Sequence, residues 1–453
     1  MFGVLLIAVW GGICLYGLIK HNYISINLLT VVCVMQNFVL IIASPYVSRS
    51  IYTLTILIKE IYVWGLVVYA LLKRRRNNFF DLGCLLAIVF IVSYGVINNS
   101  GSFSGALVSV RQLYLPFMFY LLGRSIIKTE EQIENILRYY VNIMVFCVAF
   151  GIIELLLLRD QFWIKIGFST YAKYKGIESG LSFDTGVHGA FYTWDLGFRF
   201  RRLVSFMAEP VILGQLIAFA LIIAIFFKSL FKSRTQRYIY IMALSVGLLL
   251  TMAKGGILIA LYAFAFVLGK MWKNKELSFI AKVGFVFILI LGIIYTFSDG
   301  STSNGSFHFA GLTENVRNLP RYFFGRGIGS VGNLGYSYGG RGTLNANGES
   351  FIGAVIGQMG IFGIAIFSWF YFNLFKKIKK TKKSNLYDIS NIICYLNIGL
   401  FLTSFVNNTA ISFTSCFIYY IMAGAVCSVY STIRNTSKIF NNIRAVSIQK
   451  EII

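Results

Sequence analysis

The apolar positions of this 453-residue chain fall into long uninterrupted runs. Runs of about 18 to 24 residues recur between residues 2 and 430, and each could cross roughly 30 Å of hydrocarbon as a helix. The run VGFVFILILGIIYTF at 283–297 is apolar on every side, as expected for a helix in lipid. Because a helix satisfies its own backbone polar groups, the pattern predicts an all-α polytopic transmembrane bundle.

Hydropathy predicts about 12 or 13 spans within one membrane domain that comprises the whole chain, residues 1–453. The predicted spans lie at 2–19, 25–47, 51–72, 79–97, 103–123, 137–158, 203–227, 238–253, 255–269, 278–297, 351–375, 388–408 and 410–430.

Basic clusters follow alternate spans, as in KRRR at 73–76 and KKIKKTKK at 376–383. By the positive-inside rule these ends face the cytoplasm, as does the tail at 431–453. Two long loops, 159–202 and 298–350, are therefore predicted to be extracytoplasmic.

Composition supports this fold class, because 57% of the residues are hydrophobic and only 13% are charged, too few charges for a soluble surface. The net charge of +24 lies between the spans, so it reflects topology and predicts no nucleic-acid partner. The seven cysteines lie within predicted spans without a CxxC pair, which predicts neither a disulfide framework nor a thiolate metal site.

The two outer loops carry basic residues where the orientation rule disfavours them. Such cations suggest a bound anion, for which a phosphate or a diphosphate is suitable. In the first loop they are Lys165, Lys173, Lys175, Arg199, Arg201 and Arg202; in the second they are Arg317, Arg321, Arg326 and Arg341.

The segment RRLVSFMAEP at 201–210 places Arg202 and Glu209 where the first loop enters the membrane. A guanidinium provides planar, bidentate donors that match phosphate oxygens, so Arg202 is a candidate phosphate clamp. A charge at mid-membrane costs roughly 2.5 to 3.5 kcal/mol, and Glu209 therefore needs a partner or a function. The alternative is an Arg202–Glu209 pair that only shapes the helix entry.

Four further charges are predicted to lie at or within the spans. Lys254 lies in a very tight turn on the outer side, where it either binds a lipid phosphate or snorkels to ordinary headgroups. Arg111, in the fifth span, is either a cation for the substrate or a structural charge. Lys59 and Glu60 are predicted to pair with other helices.

The second loop contains Gly327, Gly329 and Gly332 in a GxGxxG spacing. We reject a dinucleotide site, because no strand precedes it and the loop faces away from the cytoplasm. The glycines instead predict tight turns and close backbone approach to a substrate. Glu349 begins the next span and is a candidate general base, or simply a helix-start glutamate favoured by the macrodipole.

Histidines offer little evidence for a metal site. His21, His188 and His308 are too scattered to bind a metal by their spacing, although His188 and His308 both lie in outer loops.

Four stretches resemble the O-antigen polymerase and O-antigen ligase superfamily in the same order and on the same side of the membrane. The resemblance covers roughly residues 200–365, with a lysine at Lys254 where the family usually has arginine. The stretches are RLVSFMAEP (202–210), LTMAKGGIL (250–258), FFGRGIGSVG (323–332) and GESFIGAVIGQMGIFG (348–363).

The resemblance implies a metal-independent, inverting membrane glycosyltransferase of the GT-C type, with no cofactor. Its donor and acceptor would be undecaprenyl-diphosphate-linked glycans. Arg202 would be one diphosphate clamp and Arg317 the second, with Arg321 and Arg326 as competitors. Ligases carry a histidine at the catalytic position, whereas here Glu349 lies nearby, which favours a polymerase.

We therefore expect a polymerase of oligosaccharide repeat units in the bacterial inner membrane, with its active site facing the periplasm. The product would be O-antigen or a related surface glycan, and a chain-length regulator protein is a further partner to expect. The alternatives are an O-antigen ligase that transfers the glycan to lipid A core, and a lipid-linked oligosaccharide flippase or transporter.

Overall fold

A computed structural model describes residues 2–72, 78–99, 103–195, 197–271, 304–332, 350–380 and 387–451. The predicted span at 278–297, Arg341 and the candidate base Glu349 lie outside these ranges. Within them the chain is helical except for loops and one small hairpin. The helices are α1 (Phe2–Lys20), α2 (Tyr23–Ala43), α3 (Arg49–Leu72), α4 (Phe79–Ile97), α5 (Phe103–Ile126), α6 (Glu130–Ile153), α7 (Arg159–Lys165), α8 (Phe168–Lys175), α9 (Pro210–Phe226), α10 (Arg234–Thr251), α11 (Lys254–Met271), α12 (Asn304–Arg317), α13 (Phe351–Lys380), α14 (Tyr387–Thr403) and α15 (Phe413–Glu451).

The helices confirm the predicted polytopic all-α fold. Among the described residues, eight helices are long and apolar enough to cross a membrane, and three shorter apolar helices accompany them. Each predicted span other than 278–297 coincides with a helix. Two predicted starts were wrong by seven residues: the helix of the span predicted from 137 starts at Glu130, and that of the span predicted from 203 starts at Pro210. At Pro210, proline fits the first helical turn and Ala208 adopts a left-handed φ of 50°.

The centre of the bundle is the pair formed by α5 and α15. In the membrane-spanning window of α15, 78% of the residues are buried, against 22% in α1. A Cβ added at Gly123 would collide with the Ile421 carbonyl, and one at Gly424 would collide with the Tyr120 carbonyl. The two backbones therefore touch directly, as is common for helices packed through small residues in lipid.

A buried ion pair joins three helices at the end of the bundle where α5 terminates. Arg124 Nε lies 3.6 Å from the carboxylate of Asp81, and Arg124 Nη1 donates to the Cys427 carbonyl at 2.7 Å. Tyr120 donates to the same carboxylate at 3.3 Å. Arg124 is only 5% exposed. Through its contacts with Asp81 and Cys427, it holds α4, α5 and α15 together inside the bundle.

The segments predicted to be extracytoplasmic pack on helix ends at the opposite end of the bundle, which we call the loop end. Leu203 N donates to Leu250 O at 2.9 Å, and Ile328 N donates to Asn98 O at 2.9 Å. The first loop contains α7, α8 and a hairpin of β1 (Tyr192–Thr193) and β2 (Phe200–Arg201), with Thr193 opposite Phe200. The candidate site residues that the structure describes lie mostly at this end.

Candidate functional site

Arg202 follows directly after β2 and fastens the first loop to the end of α10. Its main-chain N–H donates to Phe191 O at 2.8 Å. Its side chain donates from Nε to Thr251 O at 2.7 Å, from Nη2 to Met252 O at 3.3 Å and from Nη1 to Ala190 O at 3.4 Å. The guanidinium therefore caps the carbonyls at the C-terminus of α10, where a cation is favourable.

Burial lowers the pKa of Arg202 to about 10, and the nearby charge of Asp195 offsets part of this effect. A pKa of that size leaves the side chain protonated near neutral pH. Arg202 is thus a fixed cation at the loop end, with its donors largely used by the protein's own carbonyls. Its role as a diphosphate clamp stays a prediction.

Lys254 lies one residue past the tight turn that the sequence predicted. Met252 has a left-handed φ of 48°, and α11 begins at Lys254 itself. Lys254 Nζ lies 2.8 Å from Asp195 Oδ1, and Thr193 Oγ1 donates to Oδ2 of the same carboxylate at 2.8 Å. The Lys254 side chain is 72% exposed, so it remains accessible to a ligand while it holds the loop.

Asp195 is a site residue that the sequence did not reveal, because it lies 59 positions from its lysine partner. Burial alone would raise its pKa, but the hydrogen bonds from Lys254 and Thr193 outweigh this and lower it. We call Arg202, Lys254 and Asp195 the turn cluster. Two cations and one carboxylate leave this cluster with a net charge of +1.

Glu209 does not pair with Arg202. No ion pair joins the two side chains in the described part of the chain, and the charge of Glu209 instead interacts with Lys175, Tyr171 and His188. His188 Nδ1 accepts a hydrogen bond from Ala190 N at 3.0 Å, which makes it a cap of a short helical turn. The alternative interpretation, an Arg202–Glu209 pair at the helix entry, therefore finds no ion pair among the described residues.

Several other basic residues have structural partners. Arg201 Nε lies 2.8 Å from Asp160 Oδ1, and Arg201 also pairs with the buried Glu154. Arg199 pairs with Asp184.

The charges within the spans are paired or packed as well. Arg111 Nη1 lies 2.7 Å from Glu60 Oε1, which agrees with the structural alternative for both residues. Lys59 is buried, with Nζ 4.2 Å from the centroid of the Phe413 ring, a distance typical of a cation–π contact. Lys59 is thus accommodated by an aromatic ring on α15.

The glycines of the second loop form the predicted tight turns. Left-handed φ values occur at Gly325 (85°), Gly327 (96°), Gly329 (87°) and Gly332 (98°). The close approach, however, is to the protein's own backbone: a Cβ at Gly325 would collide with the Gln358 carbonyl, and one at Gly329 would meet Ala106 N at 2.8 Å. These glycines let the loop pack tightly between α5 and α13.

A break in α13 holds this loop in place. Gly360 has φ 56° and ψ −133°, which interrupts the helix. The groups freed by the break bond to the loop: Ile361 N donates to Phe323 O at 2.9 Å, and Arg326 N donates to Gly357 O at 2.8 Å. The position of Arg326 is therefore set by main-chain bonds to α13.

The buried side chain of Gln358 adds two hydrogen bonds between the broken helix and the second loop. Its Oε1 accepts from Gly329 N at 3.0 Å, and its Nε2 donates to Val331 O at 2.9 Å. Sequence reasoning missed this residue, although a polar side chain between Gly357 and Gly360 in an apolar span was an available signal.

Three arginines lie on the segment that this break holds. The Cζ atoms of Arg326 and Arg321 lie 4.9 Å and 5.5 Å from the centroid of the Tyr322 ring. Arg317, at the end of α12, and Arg321 are exposed, and Arg326 is half-buried. No carboxylate among the described residues pairs with any of them. We call Arg317, Arg321, Arg326 and Tyr322 the arginine cluster.

Glu349 lies outside the described residues, and the residue after it begins the described part of this segment. Ser350 Oγ accepts a hydrogen bond from Gly353 N at 3.0 Å, so Ser350 caps the start of α13.

No family model matches the chain, and no curated protein matches it.

Proposed function

We propose that this protein is a membrane glycosyltransferase of the GT-C type, related to the O-antigen polymerases and ligases, that polymerises undecaprenyl-diphosphate-linked oligosaccharide units. The observation that carries the proposal is the arginine cluster. The guanidinium groups of Arg321 and Arg326 lie at the same Tyr322 ring, and Arg317 ends α12 four residues before Arg321. None of the three has a carboxylate partner among the described residues, and Arg326 is fixed to α13 by a main-chain hydrogen bond.

A diphosphate is the ligand class that suits this arrangement. Guanidinium groups remain charged at any physiological pH and bind phosphate oxygens through paired N–H donors. A ligand that supplies negative charge would relieve the repulsion between the cations of Arg321 and Arg326, which lie at the same ring. Arg199 and Arg201 in the first loop do not require an anionic ligand. Their charges are already balanced by carboxylates, namely Asp184, Glu154 and Asp160.

The proposed reaction is a direct displacement. A hydroxyl oxygen of the acceptor glycan forms a bond to the anomeric carbon of the donor glycan, and the bond from that carbon to the diphosphate oxygen breaks. The electron pair leaves with the diphosphate, whose developing charge the arginine cluster and Arg202 stabilise. The hydroxyl proton passes to a base, for which Glu349 is our candidate. The lengthened glycan keeps the lipid diphosphate of the acceptor, and the lipid diphosphate of the donor is released. The configuration at the donor's anomeric carbon is inverted.

We place this reaction at the periplasmic face of the bacterial inner membrane. The support is the alternation of basic clusters with spans, which assigns the loop end to the outer side. Lipid-linked donor and acceptor would both reach this face from the bilayer.

The decisive assay is polymer formation by the purified protein with its own lipid-linked repeat unit, with EDTA present. We expect a ladder of longer lipid-linked glycans. Arg326→Ala should reduce the rate about 100-fold, the loss typical for removal of one donor to developing charge. The matched control is Arg199→Ala, which removes an arginine from the same end that Asp184 already balances, and we expect less than a threefold change.

Three other outcomes would contradict the proposal. Transfer of the glycan to lipid A core without a ladder would identify a ligase. Movement of the lipid-linked unit across liposomes without any new glycosidic bond would identify a transporter. Equal activity of Arg326→Ala and Arg199→Ala, with a ladder present, would remove the arginine cluster from the reaction.

A further inference from the structure

An apolar groove runs along the lipid-facing side of the bundle between α4 and α13. Its volume is about 450 Å³, and every residue that lines it is apolar or aromatic. The lining extends on α4 from Phe79 to Phe90, which corresponds to about 16 Å of helix. The small residues Ala87 and Ala365 leave space in which a chain could lie, whereas the ring of Trp369 packs against Gly83. A volume of this size is within the range of ligand sites.

Aromatic rings continue the groove towards the loop end. The ring of Phe362, which lines the groove, lies 5.5 Å from that of Phe90 and stacks at 5.4 Å on that of Phe324 in the second loop. Tyr94, on α4, donates a hydrogen bond to the Phe324 carbonyl. The apolar surface therefore reaches the second loop without interruption.

The arginine cluster begins where these rings end. Arg326 follows Phe324 by two residues, and its Cζ lies 4.9 Å from the ring of Tyr322. The groove thus has an apolar body and a cationic outer end. Its complement is a long apolar chain that carries an anionic head.

We propose that this groove binds the isoprenoid chain of the lipid diphosphate, with its diphosphate at Arg326 and Arg321. The inference rests on the proposed function for the class of lipid, and it adds the route by which that lipid enters: from the bilayer, between α4 and α13. The cationic end selects a lipid with a concentrated negative head, and the small residues provide room for the methyl branches of an isoprenoid.

The test is photolabelling of the full chain in nanodiscs with a polyprenyl diphosphate that carries a diazirine on its chain. We expect the label on peptides of α4 and α13 near Ala87 and Ala365. Unlabelled undecaprenyl diphosphate should compete, and phosphatidylglycerol at the same concentration should not. Ala365→Trp, which fills the groove from an exposed position, should reduce labelling at least tenfold.

The matched control is Gly12→Trp, a small-to-large change on α1 at a position with no atom within 4 Å of an added Cβ. It should label like the unmodified protein. Label on other helices, no label at all, or equal competition by phosphatidylglycerol would overturn the groove assignment.

The readout also separates this inference from the proposed function. Labelling of the groove in a protein that makes no polymer would retain the lipid site and reject the polymerase. A polymerase whose ladder is unchanged by Ala365→Trp would retain the function and reject the groove.

Discussion

The arginines at the loop end differ in what surrounds them. Arg199 and Arg201 lie against carboxylates, whereas Arg317, Arg321 and Arg326 have none among the described residues. The sequence could not distinguish the two groups, because all of these residues are arginines in predicted outer loops. The difference arises from tertiary contacts, since Arg201 lies 47 residues from Glu154.

The ion pair between Asp195 and Lys254 gives a pH-dependent prediction. Because the pKa of Asp195 is lowered, despite burial that acts to raise it, the pair stabilises the folded loop above the usual aspartate range near pH 3.9, and this contribution is lost as the pH falls through the lowered pKa. Asp195→Asn should therefore speed limited proteolysis of residues 192–200 at pH 7, by at most about fivefold for a partly exposed pair. The difference should diminish as the pH falls below the usual aspartate range.

The control for this comparison is Asp388→Asn, which changes an exposed carboxylate at the opposite end of the bundle. Equal cleavage rates at pH 7 for Asp195→Asn and the unmodified protein would show that the pair does not hold the loop.

Among the elements, α13 shows what a hydropathy pattern can and cannot predict. The predicted span at 351–375 starts at the first residue of the helix. The break at Gly360 was not predicted, because an average over an apolar run is unaffected by the φ of one glycine. The start of α9 was a different case, since Pro210 was a visible signal for a first helical turn.

Gly360→Ala should destabilise the protein and detach the second loop. A left-handed φ costs a residue with a side chain about 1 to 3 kcal/mol, and the added Cβ would also collide with the Phe323 carbonyl. We expect a drop of several degrees in the apparent Tm, measured by heating followed by size-exclusion chromatography, and loss of polymerisation. Gly12→Ala should change neither. An unchanged Tm for Gly360→Ala would mean that the break does not constrain the fold.

At the scale of the whole molecule, sequence analysis predicted the bundle but not its internal order. Apolar runs predicted the positions of the long helices, because lipid imposes a similar length and polarity on every helix that crosses it. The central position of α15 depends on Gly123 and Gly424, which no hydropathy average distinguishes from other glycines. Arg124 follows the fifth predicted span, but a rule that counts basic residues does not reveal that it is buried against Asp81.

The ion pair between Asp81 and Arg124 predicts a clear hierarchy of stabilities. Asp81→Leu leaves a buried guanidinium without its carboxylate, a change that typically costs about 3 to 5 kcal/mol. The double variant Asp81→Leu/Arg124→Met removes both charges and should recover at least half of the lost apparent Tm. A double variant less stable than Asp81→Leu would show that Arg124 stabilises the bundle mainly through Cys427 and Ser431.

The break in α13 also limits how the protein can move during a reaction cycle. Lifting the second loop would strand Ile361 N–H and the Gly357 carbonyl beside apolar helices, and each buried unpaired group costs about 1 to 3 kcal/mol. The segment that carries Arg326 is therefore fixed to α13 and does not open as a lid. In the proposed reaction the growing polymer would move past this fixed segment between additions. The backbone amide of Arg326 should therefore be among the slowest to exchange with deuterium, whether or not the lipid is bound.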